Sequence, residues 1–126
     1  MDPELSLWGD HAISGTSGSE IVHELRPEGR DYVLGKRTYS AFFETGLDLL
    51  LRRLGVGRLV LTGVVTNICI QNTAADAFYR GYEILIPEEC VGAPSEGDHR
   101  SALEYMRKIY GAKVVGLDEL LELLGG

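Results

Sequence analysis

Cysteine is scarce in this chain of 126 residues, with Cys69 and Cys90 alone present. They can make one disulfide at most, and neither their number nor their spacing suggests a disulfide framework or a zinc site. Basic residues are short as well: 12 Lys and Arg stand against 19 Asp and Glu, a formal net charge of −7. Such a surface repels nucleic-acid phosphates and anionic lipid, because counterion release needs a basic footprint. No nucleic acid and no membrane is therefore expected as a partner. No apolar stretch approaches the roughly 18 residues of a membrane span. The start Met1-Asp2-Pro3-Glu4 lacks the basic and apolar regions of a signal peptide, so a cytoplasmic location is expected. Internal repeats and low-complexity tracts are also missing. At roughly 100 to 200 residues per domain the length leaves room for one domain, and 44% hydrophobic with 25% charged residues makes a packed core feasible.

From residue 31 onward, short β-branched or aliphatic runs alternate with segments of helical period, the pattern of βα units and a parallel sheet. It predicts strands at 32–35, 58–64, 83–87 and 112–116. The nearly continuous apolar run Arg58-Leu59-Val60-Leu61-Thr62-Gly63-Val64 reads as the middle strand, covered by helices on both faces. Phe42, Phe43, Leu47, Leu50, Leu51 and Leu54 recur at helical spacing before Gly55. A second helix is expected to start at the good N-caps Thr66 and Asn67 and to end at Gly81. Further helices are expected at 98–110 and 117–124. Residues 1–30, rich in Gly, Ser, Pro and charge, read as irregular, with Trp8 and a short helix around 19–25.

In open α/β sheets ligands bind beyond the carboxyl ends of the strands. Cys69 falls there, in the first turn of the helix after the 58–64 strand, where unpaired N–H groups and the helix dipole favour a thiolate. A nucleophile is one reading; a small buried core cysteine is the other. Lys36 directly follows the 32–35 strand and can support a thiolate or pair with a carboxylate, although an ordinary solvated lysine is equally compatible. The two strengthen each other. Gly15-Thr16-Ser17-Gly18-Ser19-Glu20 lacks the strand and the Lys-Ser/Thr ending of a phosphate loop. His11, His23 and His99 show no metal-ligand spacing, and surface or packing roles are expected of them. Glu88 and Glu89 read as a solvated strand end, and Cys90 as a structural residue in a loop.

Three runs then stand in order: Lys36-Arg37-Thr38-Tyr39-Ser40-Ala41-Phe42-Phe43-Glu44-Thr45-Gly46-Leu47-Asp48; Leu61-Thr62-Gly63-Val64-Val65-Thr66-Asn67-Ile68-Cys69-Ile70; and Thr73-Ala74-Ala75-Asp76-Ala77-Phe78-Tyr79-Arg80-Gly81-Tyr82. Together they resemble the isochorismatase-like cysteine hydrolases, which include nicotinamidases, carbamoylsarcosine amidases and ureidoacrylate-type amidohydrolases. Trp8-Gly9-Asp10-His11-Ala12 and the Gly15–Glu20 stretch look like the part of that family ahead of its lysine strand. The resemblance implies a three-layer α/β/α fold on a parallel sheet of six strands and a catalytic Asp, Lys and Cys. Lys36 matches the lysine and Cys69 the nucleophile. It also implies a non-proline cis peptide between Val64 and Val65, an oxyanion hole from the Val65 and Cys69 N–H groups, and Tyr39, Phe42, Thr66 and Asn67 at the substrate.

The family's aspartate ends an apolar first strand, and no such segment stands in this sequence. A βαβ unit of roughly 30 residues is thus missing from a single isochorismatase-like domain over 1–126. Either the chain continues a longer protein, or another chain supplies those strands; without them the sheet is expected to be interrupted. Glu88 and Glu89 are the only stand-in carboxylates at that sheet edge, on weak geometric grounds. Within the resemblance, a cysteine at position 69 implies hydrolysis of a small-molecule amide or ureido C–N bond, through a thioester, since the vinyl-ether-cleaving members lack it. The alternative is an inactive relative serving as an oligomer subunit or small-molecule binder. His11 matches one ligand of the nicotinamidase metal, but its partners would lie in the missing part, so neither metal nor cofactor is expected. A homo-oligomer is expected.

Overall fold

The computed structural model describes residues 3–8 and 19–125. They fall into two compact units, Met1–Val33 and Leu34–Gly126. The first holds helix α1 (Pro3–Trp8) and a 3-10 turn at His23–Leu25, where the Arg26 guanidinium lies 2.7 Å from His23 Nε2. The helix foreseen around 19–25 is thus reduced to that turn, while α1 falls in a stretch read as irregular.

The second unit runs α2 (Leu47–Arg53), β1 (Arg58–Val60), β2 (Gly63–Val64), a π-helical turn (Thr66–Ile70), α3 (Gln71–Tyr79), β3 (Glu83–Pro87), β4 (Val91–Gly92), α4 (Glu96–Tyr110), β5 (Lys113–Val115) and α5 (Leu117–Leu123). Every ladder is parallel, in a three-stranded sheet ordered β1-β3-β5 and a two-stranded pairing of β2 with β4. Parallel pairing follows from the βα alternation, since each helix carries the chain back to the same end of the sheet.

The middle strand is β3, not the 58–64 run. Ile84 and Ile86 point into a cluster with Ala74, Ala77, Leu103 and Met106 from α3 and α4, while Leu85 between them points to Val115 and Leu120 on the α5 side. Alternation thus places helices on both faces of β3, the three-layer arrangement. β1 pairs on one side only, and Val60 is 37% exposed. Its apolar run breaks at Leu61–Thr62, and Gly63, at φ 107°, turns the chain into the short β2. A φ in that range suits glycine, which has no Cβ to clash.

Residues 32–35 do not form a strand. Among the described residues they have no ladder partner, and a strand without one gains no hydrogen bonds to hold it. The expected interruption therefore takes another form: the strands at 58–60, 83–87 and 113–115 are contiguous neighbours, and the lysine segment joins neither sheet. α4 has the ends its sequence calls for. The Ser95 hydroxyl accepts the Asp98 N–H at 3.3 Å, acidic Glu96 and Asp98 sit in the first turn, and Gly111 caps the end in the left-handed region. No helix among the described residues is long and apolar enough to cross a membrane.

Candidate active site

Cys69 sits in the wide turn Thr66–Ile70 that leads into α3. The Val65 carbonyl accepts N–H groups from both Ile68 and Ile70, each at 3.1 Å, so this turn reaches one residue further than an α-helical one. Single π turns of this kind inside helices are frequent at functional sites. The peptide between Val64 and Val65 is cis, as the resemblance implied. No side chain caps the turn. The Thr66 hydroxyl expected to do so is 2.8 Å from His99 Nδ1 instead, and both side chains are buried. That bond fixes the start of the cysteine turn to α4. Cys69 and Cys90 are both free and half-buried.

Lys36 is brought to the same place from a remote part of the sequence. Its Nζ donates to the Thr38 carbonyl at 2.7 Å and to Cys69 Sγ at 3.7 Å. The stretch after it is docked by side chains of α3. The Ser40 hydroxyl donates to Asp76 Oδ2, and the Ala41 N–H donates to Thr73 Oγ1 at 3.0 Å. Phe42 then inserts into the core at 5% exposure. Its ring packs 5.9 Å from that of Tyr82, and the Arg80 guanidinium covers it at 5.1 Å. Phe42 thus serves as a packing anchor for this stretch. Thr66 is likewise buried, at 0% exposure with its hydroxyl engaged by His99. Tyr39, Val65 and Asn67 remain half-buried in the segments that flank Lys36 and Cys69.

No carboxylate among the described residues is hydrogen-bonded to Cys69. The two proposed stand-ins are engaged elsewhere: Glu88 pairs with Arg100 at 2.9 Å, and Glu89 accepts the Leu117 N–H at 3.0 Å, serving the start of α5. His11 and most of the Gly15–Glu20 stretch lie outside the described residues. Within those residues no three His, Cys, Asp or Glu side chains are grouped to hold a metal ion.

A cysteine at the entrance of a helix, with a lysine from a preceding segment against its sulfur, fits the resemblance stated above, and comparison with known proteins shows the family. The model of the isochorismatase domain matches residues 1–119. The chain belongs to the isochorismatase family. Among its relatives, the isochorismatase family protein YaaI of Bacillus subtilis is 37% identical over 103 residues, covering 82% of this chain and 57% of YaaI. The ureidoacrylate amidohydrolase RutB of Acinetobacter baylyi is 34% identical over 112 residues, covering 88% of this chain and 46% of RutB. The crystal structure of N-carbamoylsarcosine amidase from Thermoplasma acidophilum superposes with a TM-score of 0.84 at 43% identity, covering 91% of this chain and 65% of the amidase. This family member thus spans about half to two thirds of the length of those relatives.

Sequence reasoning found the lysine and the cysteine and expected a surface or packing role of His99, but gave no role to Ser40, Thr73 or Asp76. A signal for two of them was available: Cys69, Thr73 and Asp76 are spaced by four and three residues, which puts them on one face of a helix. Nothing in the sequence marks the complementary spacing on the irregular lysine segment.

Proposed function

We propose that this chain carries the nucleophilic centre of a hydrolase that cleaves an amide or ureido C–N bond of a small molecule. The contact between Lys36 Nζ and Cys69 Sγ, 3.7 Å long, carries this reading. The contact sets a positive charge against the sulfur that attacks a carbonyl carbon in such a reaction. The relatives named as amidohydrolase and amidase point to the same bond class.

In the proposed cycle Cys69 Sγ forms a bond to the substrate carbonyl carbon, and the charge that collects on the carbonyl oxygen is met by the N–H groups of Val65 and Cys69. Collapse breaks the C–N bond, and the nitrogen leaves as ammonia or an amine after gaining a proton. Water then adds to the thioester, the acid departs and the thiol is restored. Proton transfer in both halves requires a carboxylate. The family resemblance assigns it to an aspartate, and with Glu88 and Glu89 occupied elsewhere we place that group outside the described residues. Tyr39 and Asn67 are the proposed substrate contacts.

The test is ammonia release from a panel of carbamoyl, ureido and simple amide compounds, measured on the protein together with any segment that supplies the carboxylate. Turnover of at least one compound, its loss in Cys69→Ser, and an acyl adduct trapped by acid quench on the Cys69 peptide are the expected results. Turnover that survives Cys69→Ser overturns the mechanism.

A further inference from the structure

We propose that Asp76 is a positioning residue: by holding the Ser40 hydroxyl it fixes the lysine segment along α3 and so keeps Lys36 against Cys69. The inference rests on the reading of Lys36 and Cys69 as a working pair. Lys36 itself is exposed and belongs to a stretch with no secondary structure, and its bond to the nearby Thr38 carbonyl moves with that stretch, so it does not by itself place the ammonium against Cys69. A lysine side chain with several free rotors loses considerable entropy when it is fixed in one place. Something must hold the backbone that carries it.

The contacts that do so join one short stretch of chain to α3 and its leading turn. On α3 and its leading turn, Cys69, Thr73 and Asp76 share a face. Along the incoming segment, Lys36 meets Cys69, Ala41 meets Thr73 and Ser40 meets Asp76. Ser40 is buried, and its oxygen also accepts the Phe42 N–H at 3.1 Å, which bends the chain into the turn that seats Phe42. Asp76 is held in turn by Arg80, whose Nη1 is 3.4 Å from Oδ1 and whose backbone lies one turn further along. The aspartate thus faces the serine with one oxygen and the arginine with the other. Both ends of the clip are short, directional side chains, so a small displacement of either is transmitted to the backbone only four residues from Lys36.

The experiment is the rate of Cys69 alkylation by iodoacetamide at neutral pH in the purified chain, mapped by mass spectrometry, for Lys36→Met, Ser40→Ala, Asp76→Ala and Asp76→Asn, and for Ser40→Ala and Asp76→Ala combined with Lys36→Met. Loss of the neighbouring positive charge is expected to slow Cys69 about tenfold in Lys36→Met. Ser40→Ala and Asp76→Ala should each slow it severalfold, and Asp76→Asn, whose amide oxygen still accepts the serine hydroxyl, should restore most of the rate. In the Lys36→Met background, Ser40→Ala and Asp76→Ala should have no further effect, because their influence passes through the lysine. Circular dichroism identifies any variant that has not folded; Ser40→Ala and Asp76→Asn keep the test open if Asp76→Ala is one. A slowed Lys36→Met beside unaffected Ser40→Ala and Asp76→Ala overturns the clip alone, as does an equal slowing in both backgrounds. An unchanged Lys36→Met overturns the lysine–thiol pair and the clip with it.

Discussion

Lys36 Nζ lies 3.7 Å from Cys69 Sγ although the two residues are 33 positions apart in the chain. Neither belongs to a regular strand: the cysteine stands in a π turn and the lysine in an irregular segment. The pair is therefore assembled by side chains of neighbouring elements more than by sheet geometry, and those elements define what substitutions should do.

The Thr66 to His99 hydrogen bond joins the cysteine turn to α4 in a buried setting. Thr66→Val keeps the shape but leaves the imidazole nitrogen without its partner, a loss of about 1 to 3 kcal/mol. Thr66→Ser should retain most of the stability. Denaturant melts of both variants check this, and equal stability of Thr66→Val and the parent would show that the bond contributes little.

Met106 is fully buried on the α4 face that packs against β3. Met106→Ala is expected to cost about 2 to 5 kcal/mol through lost contacts and a residual cavity. The measurement is the shift in unfolding midpoint at constant slope.

Glu83 at the start of β3 bridges Arg58 on β1 and Lys113 on β5, each at 3.0 Å. All three side chains are substantially exposed, so Glu83→Gln should cost little stability, and the cost should shrink in high salt. Thermal melts at low and high ionic strength read both effects.

Acid sensitivity should have a local origin. The Arg107 hydrogen bond, with Lys108 beside it, holds the Glu104 carboxyl down at about 2. The Tyr82 hydroxyl, aided by Arg52, lowers that of Asp48. Carboxylates lowered on folding contribute stability that is complete above their unfolded-state values and is lost as pH falls through the folded ones. Melting temperature should therefore drop between about pH 5 and about pH 2, and the drop should be shallower in Glu104→Gln and in Asp48→Asn.

The sequence revealed the layers and singled out Lys36 and Cys69, which the structure brings into contact, because those depend on local pattern. Helical spacing at 102, 103 and 106 and the apolar run at 83–87 each report burial directly. It misplaced the middle of the sheet, since the apolar character of 58–64 says that a strand is sticky but not which neighbours it has; the exposed Val60 and the doubly covered Leu85 are consequences of pairing. It did not show that Thr66 and Phe42 are buried, because a hydroxyl near a cysteine and an aromatic near a lysine look the same whether they face a ligand or the core. The bonds of His99 and Asp76 were not legible because their partners, Thr66 and Ser40, are more than 30 residues away in sequence.

The most direct test of the central claim compares the two cysteines in one tube. Limited iodoacetamide at mildly acidic pH, followed by peptide mapping, should label Cys69 well before Cys90, because Cys69 alone combines a helix entrance with an ammonium donor. The preference should collapse in Lys36→Met while the Cys90 rate stays the same. Faster labelling of Cys90, or a Cys69 preference untouched by the loss of Lys36, would contradict the account.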